Sequence, residues 1–173
     1  MAMNGVLRPG IIQIRVLDMD DAITHYRDRL GLHEVGTESD GRVYLKGWDE
    51  FDRHSVILRE DDQAGMDFMS FKVLDDDTLT QLTADLEAYG VSVEHVDAGE
   101  QPGVGRRVAF VIPSGHRIEL YAEMERSDFH PGTHNPNVWP EEPRGMGVTR
   151  FDHALLYGCL LYTSDAADDL LQV

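Results

Sequence analysis

Among the side chains with chemistry to offer, one histidine stands out by its setting. His153 lies in Arg150-Phe151-Asp152-His153-Ala154-Leu155-Leu156-Tyr157-Gly158. Alternation makes this stretch a short strand, with Phe151, His153, Leu155 and Tyr157 on one face and Asp152, Ala154 and Leu156 on the other. An imidazole on such a face can ligate a metal; it can equally be an ordinary hydrogen-bonded strand histidine. His130 and His134 have a spacing that clasps a metal on a helix. They sit among Pro131, Pro136, Pro140 and Pro143, which deny a helix, so they are expected to be exposed loop residues. The single cysteine, Cys159, rules out an internal disulfide and a thiolate metal cluster, and fits a reducing compartment.

The elements that would position such residues repeat. Residues 11–17 form a strand, with Ile12, Ile14 and Val16 alternating against Gln13 and Arg15. Asp20 or Asp21 offers an N-cap; Ile23, Tyr26 and Leu30 follow at helical spacing, and Gly31 sits where a capping glycine belongs. Strands follow at 33–37, 42–48 and 54–59, with Ser39-Asp40-Gly41 as a turn. The second round has a strand at 67–73, N-cap candidates Asp75, Asp76 and Asp77, a helical stripe of Leu79, Leu82, Leu86 and Tyr89 closed by Gly90, and strands at 91–96, 106–112 and 117–122. The last two join through Pro113-Ser114-Gly115.

Residues 1–123 therefore read as an α+β domain of two strand–helix–strand–strand–strand modules, at about 10–60 and 66–123, offset by about 56 residues. Each half can bury a curved sheet against the other. Residues 124–147, rich in Pro and Gly, read as a linker that Trp139 packs onto the domain. Residues 148–158 start a strand again, and Val148 to Leu155 can be laid on Val6 to Gln13. His153 then falls where the first module has Ile11. Residues 159–173 have no turn chemistry and no long amphipathic stripe. They resemble translated sequencing-adapter read-through and are expected to be non-native; a short helix capped by Ser164 or Asp165 is the alternative.

With 173 residues, 42% of them hydrophobic, the chain can build one sizeable core. A net charge of −17 repels phosphates and argues against nucleic acid. No stretch approaches the roughly 20 apolar residues of a membrane span. Residues 1–10 lack an apolar signal region, so a cytoplasmic protein is expected.

A family resemblance rests on Arg8-Pro9-Gly10, Gly41 to Lys46, Val56 to Glu60, Gly65 to Met69, Pro113 to His116, Glu119 to Ala122 and Arg150 to Leu155. Over residues 4–158 the chain resembles the beginning of the catechol 2,3-dioxygenases, extradiol enzymes of the vicinal-oxygen-chelate superfamily. The resemblance implies paired βαβββ modules forming a barrel-like domain, followed by the start of a second, catalytic domain. It implies an Fe(II) enzyme that opens catechol with dioxygen next to the diol, giving 2-hydroxymuconic semialdehyde, as a homo-oligomer (a tetramer in the family). His153 matches the first of three iron ligands, two histidines and a glutamate; the other two positions lie beyond Gly158. In the first domain the equivalent positions are Ile11, Phe68 and Glu119, so that domain is expected to be metal-free. Its Glu119 is expected to be a structural acceptor or an exposed strand residue. No role attaches to His54 or His116. The fragment itself is expected to be inactive. The competing readings are a non-enzymatic domain that binds small ligands and a structural or oligomerisation domain. A glyoxalase-like metalloenzyme is opposed by Ile11 and Phe68.

Overall fold

Two aspartates mark where strand gives way to helix. Asp18 caps α1 (Met19–Ile23), its carboxylate accepting from the Asp21 amide at 2.9 Å, and Asp75 caps α2 (Asp76–Ala88), accepting from the Thr78 amide at 2.8 Å. The first cap thus precedes Asp20 and Asp21. Asp18 is the residue still in extended backbone, whereas the other two are already helical, where their charge suits the first turn. Helix α1 runs on as a wider π-helical turn, Thr24–Arg29. Gly31 and Gly90 follow the two helices with φ of +89° and +90°, the left-handed conformation that ends a helix without a Cβ clash. Tyr89, expected in the buried stripe of α2, is instead its C-cap and is 88% exposed; the helix ends before that position turns back to the sheet.

This is a computed structural model, and it describes residues 5–127 and 143–157. Its strands are β1 (Val6–Val16), β2 (His33–Thr37), β3 (Val43–Lys46), β4 (Val56–Glu60), β5 (Gly65–Val73), β6 (Glu94–Val96), β7 (Arg107–Val111) and β8 (Arg117–Tyr121). They form one mixed sheet in the order β2-β3-β4-β1-β5-β8-β7-β6. In each half the first strand lies parallel to the last, β1 to β4 and β5 to β8, and the halves meet antiparallel along β1 and β5. The connectivity reads the same from either edge. Strand β1 starts before residue 11 because β5 offers it a partner as early as Val6↔Val73. Pro9, which has no amide to donate, is accommodated at a register shift before Ile12.

Period-two alternation divides the sheet into two faces. On one, Ile12, Ile14 and Val16 join Val43, Leu45, Val56 and Leu58 beneath α1, while Val73, Val108 and Leu120 pack beneath Leu79, Leu82 and Leu86 of α2. On the other, Ile11, Tyr44, Ile57, Phe68 and Tyr121 form a third cluster with Val104. The helices thus serve only one face, and the other face is free to build sites.

The strand expected over 148–158 is not formed in its described part: residues 148–157 enter no ladder. Its backbone instead makes single bonds, Val148 donating to the Leu30 carbonyl and Thr149 accepting from the Asp49 amide, which build no ladder. His130, His134, Trp139 and the 159–173 tail lie outside the described residues.

Candidate functional site

The segment from Pro143 to Tyr157 returns across the first half of the sheet, and its placement is set by backbone packed on glycine. A Cβ built on Gly31 would lie 2.0 Å from the Arg144 carbonyl oxygen, on Gly47 2.3 Å from that of Thr149, and on Gly145 2.2 Å from that of Arg29. Hydrogen bonds run along the same track. The Met146 amide donates to the Arg29 carbonyl at 2.9 Å, Val148 to Leu30 at 3.2 Å, and the Asp49 amide to the Thr149 carbonyl at 3.0 Å. Val148 packs into the cluster beneath α1. Glu50 closes the track. One carboxylate oxygen accepts from the Phe151 amide at 2.7 Å, and the other from the Gly47 amide and the Ser55 hydroxyl, both at 2.6 Å. Arg150 pairs with Asp49. Replacing Gly47 by alanine is expected to push residues 148–151 off the sheet. Amide exchange at Asp49 should then accelerate roughly tenfold, the cost of about one hydrogen bond, and a protease should cut the 143–157 segment sooner.

His153 follows the last of these anchors by two residues. Its side chain is 84% exposed, and Nδ1 lies 2.9 Å from the Asp152 carboxylate. With Nδ1–H donated to that carboxylate, Nε2 keeps its lone pair outward, the arrangement that suits a metal-ligating imidazole. One imidazole does not hold a divalent ion, and among the described residues no group of three His, Cys, Asp or Glu side chains could do so. The described residues therefore fit a single ligand of a metal site but not the site itself.

Ile11, Phe68 and Glu119, which the resemblance sets against the ligand positions, share the face away from the helices. Ile11 and Phe68 belong to one apolar cluster. Glu119 is 2% exposed, which excludes the surface-strand alternative. Its Oε1 accepts from Arg117 Nε at 3.0 Å, and its Oε2 lies 3.1 Å from Arg107 Nε. Burial pushes this carboxyl up, while Arg107 and Arg117 pull it back down. Two guanidiniums thus supply the positive charge this carboxylate needs. A basic residue two positions before Glu119 and another across the hairpin were visible in the sequence; their convergence on it was not.

A second buried carboxylate, Asp52, was not singled out from sequence. It takes Arg8 at 2.6 Å and Lys72 at 3.0 Å. Burial would raise its pKa, but the two cations hold it below the ordinary carboxylate value. His54 is fully buried and meets Tyr44 edge to face with ring centroids 4.8 Å apart. Neither of its ring nitrogens has a hydrogen-bond partner among the described residues. His116 has a local function, its Nδ1 bonding the Ser114 hydroxyl at 2.8 Å within the β7–β8 turn.

A mixed sheet with α-helices on one face, doubled about β1 and β5, matches the fold of extradiol dioxygenases, and residues 66–125 match the family model of the catechol 2,3-dioxygenase-like N-terminal domain. The particular likeness is to metapyrocatechase from Pseudomonas sp. (strain CF600), 54% identical over 156 residues, which span 90% of this chain and 51% of that protein. The 2,3-dioxygenase LapB from Pseudomonas sp. KL28 superposes with a TM-score of 0.86 at 46% identity, covering 99% of this chain and 59% of that one. A manganese-dependent 2,3-dihydroxybiphenyl 1,2-dioxygenase from Geobacillus genomosp. 3 is 24% identical over 147 residues, 83% of this chain and 46% of that protein. The resemblance read from the sequence, to the N-terminal portion of catechol 2,3-dioxygenase, is thereby shown. The chain spans about half the length of these curated relatives.

Proposed function

We propose that the chain is the N-terminal part of an Fe(II)-dependent extradiol dioxygenase that cleaves catechol next to its diol, and that it is inactive by itself. The observation carrying this reading is the 54% identity to metapyrocatechase sustained over 156 residues. Residues 1–123 are, on this reading, a vicinal-oxygen-chelate domain of two βαβββ modules. Residues 124–147 are a linker, 148–158 the first strand of a catalytic domain, and 159–173 a non-native tail. Strand 148–158 would form its ladder only on the sheet of that further domain, in line with the absence of a ladder over residues 148–157. The whole enzyme is a cytoplasmic homo-oligomer acting in aromatic degradation. Among the described residues no helix is long and apolar enough to cross a membrane.

His153 is the first metal ligand in this reading. The metal, once held by its full ligand set, supplies a centre where the vicinal oxygens of catechol and dioxygen meet. The rest is this chain's work. Asp152 fixes the ring tautomer that leaves Nε2 free, and Glu50 with the three glycines holds the backbone that carries the ring. Iron is chosen over manganese on the resemblance to catechol 2,3-dioxygenase; the manganese-dependent relative is the more distant in identity.

The test is direct. Purified 173-residue chain, given Fe(II), catechol and air, should produce no yellow ring-cleavage product. Turnover by the chain alone would refute the division of labour proposed here.

A further inference from the structure

The loop between β3 and β4, residues 47–55, holds the return segment through Glu50 and ties itself to the sheet through Asp52. Asp52 is 6% exposed and accepts from Arg8 of β1 at 2.6 Å and from Lys72 of β5 at 3.0 Å. The Tyr121 hydroxyl of β8 lies 3.4 Å from the same carboxylate. A Cβ on Gly10 would stand 2.3 Å from that hydroxyl, so a glycine there lets Tyr121 come so close. Asp52 thus draws strands from both halves of the sheet onto the loop. Two residues earlier, Glu50 accepts from the Phe151 amide at 2.7 Å and so holds the backbone that leads to His153.

The two carboxylates share a competitor. Glu50, Asp52, Arg8 and Phe151 border one cavity of ≈ 100 Å³, so open space connects the Arg8 guanidinium with Glu50. Burial is the largest single influence on Arg8 and works against its charge, yet its pKa is raised. Asp52 opposes burial most, and Tyr121 and Glu50 add to it. The Arg8 side chain is 47% exposed and has room to turn. A guanidinium that loses one carboxylate takes the next within reach, because a charge-assisted pair is stronger than the bond of a neutral donor to the same oxygen. Of the donors that Glu50 serves, the Gly47 amide and the Ser55 hydroxyl belong to the loop itself. The Phe151 amide comes from outside it and is the donor that would yield.

We propose that Asp52 is a positioning residue for His153: it keeps Arg8 off Glu50, so that Glu50 stays engaged with the Phe151 amide and the segment carrying His153 keeps its seat. The role of His153 rests on the function proposed above. The hold of Asp52 on the segment does not, and it is read without metal or turnover, so its failure leaves that function standing.

The experiment is amide exchange, followed by NMR, on the 173-residue chain and its variants. In Asp52→Asn, Phe151 should exchange roughly tenfold faster, the cost of about one hydrogen bond. Met146, whose amide donates to the Arg29 carbonyl at 2.9 Å at the other end of the track, should keep its protection. Adding Arg8→Gln should restore Phe151, because the competitor for Glu50 is gone. A merely structural role predicts the reverse, since the second substitution removes one more tie. No acceleration at Phe151, equal acceleration at Phe151 and Met146, or a double variant that exchanges faster at Phe151 than Asp52→Asn would each overturn the proposal. Melting curves check that the variants fold. If Asp52→Asn does not, the double variant or Arg8→Gln alone decides: protection of Phe151 equal to that in the unaltered chain supports the proposal, and its loss overturns it.

Discussion

Replacing Arg107 by leucine is expected to destabilise the fold by about 3–5 kcal/mol, the range found when one member of a buried ion pair is removed. Arg107 and Glu119 are 5% and 3% exposed in their side chains. Without Arg107, the Glu119 carboxylate keeps only Arg117 against the desolvation that already raises its pKa. The deficit therefore depends on pH with a definite sign. A carboxyl whose pKa is raised in the folded state binds its proton more readily folded than unfolded. The variant should recover stability as pH falls and lose it as pH rises. Removing both partners, in Arg107→Leu/Glu119→Leu, should return stability to within about 1 kcal/mol of the parent chain, because the desolvated charges go together. A double-mutant cycle by urea denaturation measures the difference, with a coupling of at least about 2 kcal/mol expected, the single-variant cost of about 3–5 less the double variant's deficit of about 1. A single variant as stable as the parent would mean that the pair has no energetic role.

His54 should make the chain acid-sensitive above the carboxylate range. Burial is the main cause of its lowered pKa, with Arg53 and Arg107 adding to it and Asp52 opposing, and together they push it down to about 3 from an ordinary 6.5. In the unfolded chain His54 takes a proton as pH falls below about 6.5, whereas in the folded chain it does not until about 3. The unfolded state binds more protons throughout that window, so stability declines as pH falls through it. The slope is about 1.4 kcal/mol per pH unit, which gives roughly 2 kcal/mol lost by pH 5. His54→Leu should remove most of this slope above pH 5 while leaving stability at pH 7 unchanged or higher, since two unpartnered nitrogens disappear from the core. His33, partly buried and shifted in the same direction, accounts for the slope that remains. Melting temperatures of the two proteins between pH 7 and 5 provide the check. Parallel curves would show that His54 does not titrate as its burial requires.

The repeat was legible because both halves obey local rules. Ile12, Ile14 and Val16 alternate, Leu79, Leu82 and Leu86 follow helical spacing, and Gly31 and Gly90 stand where a helix must stop. The reading failed where distant chain decides. The early start of β1 depends on β5, and Pro9 is tolerated only because the register slips beside it. The cap at Asp18 and the exposure of Tyr89 turn on the last residues of a strand and a helix, where periodicity has little weight. The return segment is held by main chain against Gly31, Gly47 and Gly145, and glycine contacts leave no hydrophobic pattern to read. The Arg107–Glu119 pair spans one hairpin, but the register and side-chain reach that bring the two together are not written in either strand. A histidine such as His54 announces nothing about being dry.

The central claim is that this chain is the leading portion of a metal-dependent dioxygenase and contributes one ligand, His153. A sequence read through the 3′ end of the source gene, past the codon for Gly158, tests it most directly. The account predicts a frame that replaces residues 159–173 and continues through two further βαβββ modules, bearing a second histidine and then a glutamate on their strands. A frame that truly ends at Val173 would contradict it, leaving a lone domain for which binding, not ring cleavage, is the function to pursue.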